Sequence, residues 1–122
     1  KWEAGARATA AAYAAETLAE TLHTNNVVIF SRSDCDASQK TKEFFEDLGV
    51  SYVSLELDAR ADGEALEKAL VDHTGVKGIW PLKKVIPRVF VRGQHVGGEK
   101  ETAWAYKTGE LEHLVSSGDE EA

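Results

Sequence analysis

The residue in this 122-residue chain with the most usable chemistry is its one cysteine, Cys35. It follows Val27-Val28-Ile29-Phe30, a short apolar run rich in β-branched side chains that reads as a buried central strand. Ser31-Arg32-Ser33-Asp34 then turns the chain into a helix, which puts Cys35 at the helix start, in the crevice where open α/β sheets bind ligands. Backbone N–H groups and the dipole at a helix N-terminus favour a thiolate, and Arg32 adds a cation three residues earlier. Asp34 and Asp36 flank the thiol and oppose its charge. Asp34 is also placed to cap the helix and compete for the same donors. The expectation is a reactive thiol restrained by its acidic neighbours. The plain alternative is a helix-start cysteine that only packs. Ser38 stands where a redox Cys-x-x-Cys pair would have its second thiol, so a mixed disulfide at Cys35 has to be resolved by an external thiol. A single cysteine also excludes an internal disulfide framework and a four-cysteine metal site.

Charge narrows the partners. The net charge is −7, which argues against nucleic acid. Residues 77–107 nevertheless carry seven bases against two acids, a net +5, leaving −12 elsewhere. A basic face on an acidic protein suits a small anionic ligand; solvated surface lysines are the alternative. His23, His73, His95 and His113 have no metal-ligand spacing, and His95 falls on a hairpin strand in a structural or exposed role. Trp80 and Trp104 are expected to pack in the core or at a rim rather than stack on a ligand, and Glu64 and Glu67 are helix-surface acids. No apolar run approaches the roughly 18–20 residues of a membrane span, and no signal-peptide core is visible. The chain has no methionine, so residue 1 is not expected to be the native start.

The elements that must position Cys35 are legible in outline. Residues 1–24 read as a peripheral alanine-rich helix whose larger apolar side chains are Tyr13, Leu18 and Leu22. After the 27–30 strand, Thr41, Phe44, Phe45 and Leu48 make a core-facing helical stripe that Gly49 ends. Tyr52, Val53, Leu55 and Leu57 mark a second strand, and Leu66, Ala69 and Leu70 one face of a further helix closed by Gly75. Residues 76–84 form an irregular basic loop. Pro87 opens a strand over 88–91, Arg92-Gly93 is a tight hairpin link, and 94–96 return. A helix through Ala103, Trp104 and Tyr106 is interrupted at Gly109, and a short helix carries Leu111, Leu114 and Val115. A right-handed crossover makes the first two strands parallel, and the hairpin adds an antiparallel pair. The prediction is a four-stranded mixed sheet with helices on both faces over 25–117, and a disordered acidic tail over 118–122.

Several pieces in one order and spacing carry a family resemblance. They are Val28-Ile29-Phe30-Ser31-Arg32-Ser33-x-Cys35-x-x-Ser38, Thr74-Gly75, Val85-Ile86-Pro87, Val89-Phe90-Val91-x-Gly93-x-His95-Val96-Gly97-Gly98 and Gly109-Glu110-Leu111. Over roughly residues 25–117 the chain resembles the glutaredoxins, within the thioredoxin fold. The resemblance implies a glutathione-dependent oxidoreductase with Cys35 as nucleophile. Arg32 stands where the family usually has a lysine meeting glutathione's glycine carboxylate, and Ser38 replaces the resolving cysteine. Ile86 would pair its backbone with glutathione, Pro87 would be cis, and Gly98 would let backbone approach the γ-glutamyl end. Glu99-Lys100-Glu101 replace the family's usual small residue and aspartate, with Lys100 assigned to the γ-glutamyl carboxylate and Glu101 to its ammonium. Arg32 and Cys35 are close, as in the catalytic class and unlike the Cys-Gly-Phe-Ser class. The leading expectation is monothiol reduction of glutathionylated proteins, with glutathione as co-substrate, in the cytoplasm or an organellar lumen or matrix. The second is a carrier of a [2Fe–2S] cluster held by Cys35 of two chains and two glutathiones. A third is a redox-inert interaction domain.

Overall fold

The computed structural model describes residues 2–76 and 85–116. The basic loop beyond Val76, with Trp80, Lys83 and Lys84, and the acidic tail fall outside the described residues. Helix α1 (Trp2–Thr24) leads into strand β1 (Val27–Ser31), helix α2 (Asp36–Asp47), strand β2 (Val53–Glu56) and helix α3 (Gly63–Thr74). Strand β3 (Arg88–Val91), strand β4 (Gln94–Gly97), helix α4 (Glu99–Thr108) and helix α5 (Glu110–Ser116) follow. The sheet order is β2-β1-β3-β4. β1 is parallel to β2 and antiparallel to β3, and β3 is antiparallel to β4. This is the mixed four-stranded sheet expected, with the additional N-terminal helix in place.

β1 is buried at every position because it is covered on both faces, which is why its sequence is continuously apolar rather than alternating. On one face Val28, Phe30 and Phe90 pack with Leu66 and Leu70 of α3 and with Ala14, Leu18 and Leu22 of α1. On the other, Val27, Ile29, Val89 and Val91 pack with Phe45, Ala105 and Leu111 from α2, α4 and α5. The α2 stripe is therefore inward-facing as read, with Thr41 and Phe45 fully buried and Phe44 stacked on Tyr106 at 4.9 Å. On α1 the inward side chains are Ala14, Leu18 and Leu22, whereas Tyr13 is 65% exposed. Trp104 departs from expectation. It lies on the outer face of α4 and is 71% exposed, because Thr102 and Ala105 occupy the inward positions of that helix. The second strand is shorter than its apolar marks: Val53 sits at its exposed start, and Leu57 is buried just beyond its end.

Register brings four strand ends together. Ser31 pairs with Glu56, and Phe30 with Arg88, so the carboxyl ends of β1 and β2 lie beside the amino end of β3. Val89 pairs with Gly97, so the carboxyl end of β4 arrives at the same place. Between those pairs and Phe90↔His95 the register shifts by a bulge, which turns the chain toward α4. Gly97 takes φ +135°, and a Cβ there would sit 2.6 Å from Glu101 Cβ, so only glycine fits this exit.

Candidate functional site

Cys35 leaves the sheet at that shared end. It is the N-cap of α2, with extended backbone at φ −113° and ψ 117°. Its N–H donates to Arg32 O at 3.2 Å, and its carbonyl accepts from Gln39 N–H at 3.2 Å. No side chain caps this helix, so the thiol stands at the position from which a cap serves the first-turn N–H groups. The expected Asp34 cap is thereby corrected. Asp34 lies one residue too early, its side chain is 72% exposed, and its carboxylate pairs with Arg32 Nε at 3.5 Å. Arg32 is accordingly not a cation reserved for the thiol.

The turn before Cys35 is held from the end of β2 and the residues just beyond it. Ser33 N–H donates to Asp58 Oδ1 at 2.9 Å, and the Ser33 hydroxyl donates to Asp58 Oδ2. These bonds from Ser33, aided by the nearby Arg32 charge, hold the Asp58 carboxyl below its ordinary range. The Ser31 hydroxyl donates to Glu56 at 2.9 Å, Lys42 Nζ donates to the same carboxylate at 2.9 Å, and Ser54 donates to it as well. Burial pushes the Glu56 carboxyl up, but the bonds from Ser54, Lys42 and Ser31 outweigh it and the net shift is downward. Leu57 N–H closes the set on Ser31 O at 2.9 Å. Ser38 is fully buried, and its hydroxyl accepts from Arg32 N–H at 3.4 Å, so it braces the turn from inside.

Opposite β1, the Ile86–Pro87 peptide is cis, as the resemblance implies. Val85 and Ile86 are buried in the α1/α3 core. Gly98 follows β4; a Cβ there would meet Arg88 Nη2 at 2.9 Å and Pro87 O at 3.4 Å, so its backbone lies directly against the Pro87 segment. Glu101 is the N3 residue of a capping box, its Oε1 accepting Gly98 N–H at 2.7 Å. That bond holds the Glu101 carboxyl below its usual range, with Arg88 and His95 contributing. The carboxylate assigned to a ligand ammonium is thus already engaged in fixing Gly98. Lys100 is exposed beside it and Glu99 is part-buried.

Three supports escaped the sequence reading. Glu56 and Asp58 looked like ordinary polar positions at the end of a strand. Arg88 was counted only as one base in a basic stretch. Its signal was its position: a charge on the same strand face as Phe90 must point into a covered layer.

A four-stranded mixed sheet with a cysteine at the head of the helix that follows its first strand, and a cis-proline before the neighbouring strand at the same end, is the thioredoxin class of fold. The sequence model of the Glutaredoxin family matches residues 27–96, more than half of the chain, and the chain belongs to that family. It is 36% identical over 96 residues to monothiol glutaredoxin-S6 of rice, covering 79% of this chain and 68% of that protein. It is 38% identical over 110 residues to glutaredoxin-C4 of Arabidopsis thaliana, covering 88% and 76%. Mouse mitochondrial glutaredoxin-2 is 36% identical over 96 residues, 79% of this chain and 57% of that one. Among solved structures, a buckwheat glutaredoxin crystallised as a glutathione complex superposes with a TM-score of 0.80 at 28% identity, covering 89% of this chain and 93% of that one. No helix of the described residues is long and apolar enough to cross a membrane.

Proposed function

We propose that this chain reduces glutathione mixed disulfides by a monothiol route through Cys35. The observation that carries the reading is the convergence of Cys35, the Ile86–Pro87 segment and Gly98 on one end of the sheet. The glutathione complex of the buckwheat glutaredoxin supports it, since that fold is so similar. In the first step the Cys35 thiolate attacks the glutathione sulfur of a glutathionylated protein. The substrate S–S bond breaks, the protein thiolate leaves and takes a proton from solvent, and Cys35 carries glutathione as a mixed disulfide. In the second, a glutathione thiolate attacks that glutathione sulfur, oxidised glutathione departs, and Cys35 is again a thiolate. One glutathionylated protein and one glutathione thiol thus give the free protein thiol and one molecule of oxidised glutathione. Ser38, buried and without a thiol, leaves no intramolecular route.

Binding falls to the rest of the site. Ile86 is buried in the α1/α3 core, which leaves its backbone to pair with glutathione as an added strand. Arg32 and Lys100 supply charge for its two carboxylates. The chemistry suits a compartment rich in reduced glutathione, the cytosol or an organelle. The cluster-carrier reading would use the same thiol, one Cys35 from each of two chains with two glutathiones.

Intact-mass measurement after incubation with oxidised glutathione tests the proposal. One glutathionyl group per chain, mapped to Cys35 and absent from Cys35→Ser, is expected. No adduct, or an adduct that persists in Cys35→Ser, would overturn it.

A further inference from the structure

The one half-buried cation of the sheet, Arg88, has no role in the chemistry above. It is the first residue of β3, immediately after Pro87. Its Nε donates to Val85 O at 2.6 Å, on the segment leading into Ile86. Its Nη1 lies 3.1 Å from His95 Nε2, on the neighbouring strand β4. Its Nη2 occupies the space a Gly98 side chain would need, at 2.9 Å from that position. One rigid guanidinium therefore spans three separate stretches of chain: 85–87, the middle of β4, and the Gly98 entry to α4. Arginine suits this task because its donors form a fixed planar fork that a lysine lacks.

We infer that Arg88 is a positioning residue for glutathione, which fixes the Ile86–Pro87 backbone relative to Gly98 from behind the site. The inference rests on the glutathione reading above. The sheet brings the two ends of the proposed groove together at Val89↔Gly97, but the ladder is bulged beside that pair. Arg88 braces the 85–87 segment against Gly98 across that bulge, and the Glu101 cap holds Gly98 at the start of α4.

The strap requires His95 as a hydrogen-bond acceptor, hence as a neutral ring. Its surroundings favour that state. His95 faces Arg88 and the Phe90 ring, at 5.2 Å, from β3, Glu101 from α4 and His73 from α3; Lys100 and Glu110 border the same hollow. Burial first, then Arg88, hold the imidazole below its ordinary value; Glu101 opposes and His73 adds to the lowering. Protonation at acid pH removes the acceptor and sets two cations side by side. The grip on glutathione should then weaken as pH falls below about 6.5, the ordinary histidine value, and be complete above it.

The test compares two disulfides at one thiol. The rate of Cys35 modification by oxidised glutathione, divided by that with hydroxyethyl disulfide, isolates the contribution of the groove, because thiolate content cancels. Iodoacetamide labelling monitors the thiol itself. Arg88→Met should lower the ratio at least fivefold with labelling within twofold of the parent, and Arg88→Lys should recover only part of it. The parent ratio should fall between pH 7.5 and 5, while His95→Gln, which keeps an acceptor and cannot titrate, should hold its ratio. The His95→Gln arm decides the matter should Arg88→Met fail to fold. A parent that prefers oxidised glutathione while Arg88→Met keeps that preference, or matching pH slopes for parent and His95→Gln, overturns the positioning role alone. A parent with no preference for oxidised glutathione at any pH overturns the glutathione reading and this inference with it.

Discussion

At the scale of single residues, the environment of Cys35 is a contest between a helix start and two acids. The thiol is at the N-cap, where backbone donors favour an anion. Asp36 opens the helix beside it, and Asp34 takes up the Arg32 charge. A unit charge about 6 Å away in water is worth roughly 0.7 kcal/mol, or about threefold in thiolate population. Asp36→Asn should therefore speed iodoacetamide labelling at pH 6 by about threefold. Asp34→Asn should speed it more, since it removes a negative charge and releases Arg32 as well. Both gains should shrink in 0.5 M salt, where screening shortens to a few ångströms. Unchanged labelling in both variants would place the carboxylates beyond reach of the sulfur. Cys35, Arg32 and Ser38 were legible in the sequence because type and spacing are local properties. Which partner each one takes was not: the Arg32–Asp34 pair and the burial of Ser38 depend on how the turn folds.

At the scale of elements, the site is held by contacts between strand ends that are distant in sequence. Glu56 gathers Ser31, Lys42 and Ser54 around one carboxylate. Glu56→Gln should cost about 2 kcal/mol at pH 7, the range for hydrogen bonds to a charged group. Because the folded carboxyl titrates below its unfolded value of 4.5, this stability is present above that pH and is lost as pH falls through the folded value. Urea titrations of parent and variant should thus differ at pH 7 and converge as pH falls through the folded value; a gap that stays constant with pH would indicate a packing effect. The Glu101 cap is the second such contact, and Glu101→Ala should cost about 1 kcal/mol, read from the same titrations. Helices and strands were foreseeable from apolar periodicity, and the hairpin from Arg92-Gly93. The clamps were not, because a carboxylate 25 residues away in sequence leaves no periodic trace at Ser31 or Ser33.

At the scale of the whole molecule, two helical layers cover the sheet, and one end of it carries Cys35. α1 packs against α3 through Ala14, Leu18 and Leu22, so its second half is part of the core that supports Phe90 and Ile86. Leu18→Ala should destabilise the fold by about 2–5 kcal/mol, as large-to-small core changes do. Tyr13→Ala, on the exposed side of the same helix, should stay within about 0.5 kcal/mol. Denaturant midpoints give both values; equal costs would mean that α1 does not dock by this face. The parallel first pair and the antiparallel hairpin were readable from element order and the right-handed crossover, whereas the order β2-β1-β3-β4 was not. The outward turn of Trp104 was not, because one tryptophan in a short amphipathic helix does not declare its side until its neighbours are placed.

The most direct measurement is the glutathione-coupled reduction of a glutathionylated peptide, followed through the oxidised glutathione formed. The parent should turn over with a rate that rises with glutathione concentration, and Cys35→Ser should have none. Turnover retained in Cys35→Ser, or a parent that does not turn over with glutathione, would contradict a monothiol mechanism at this site.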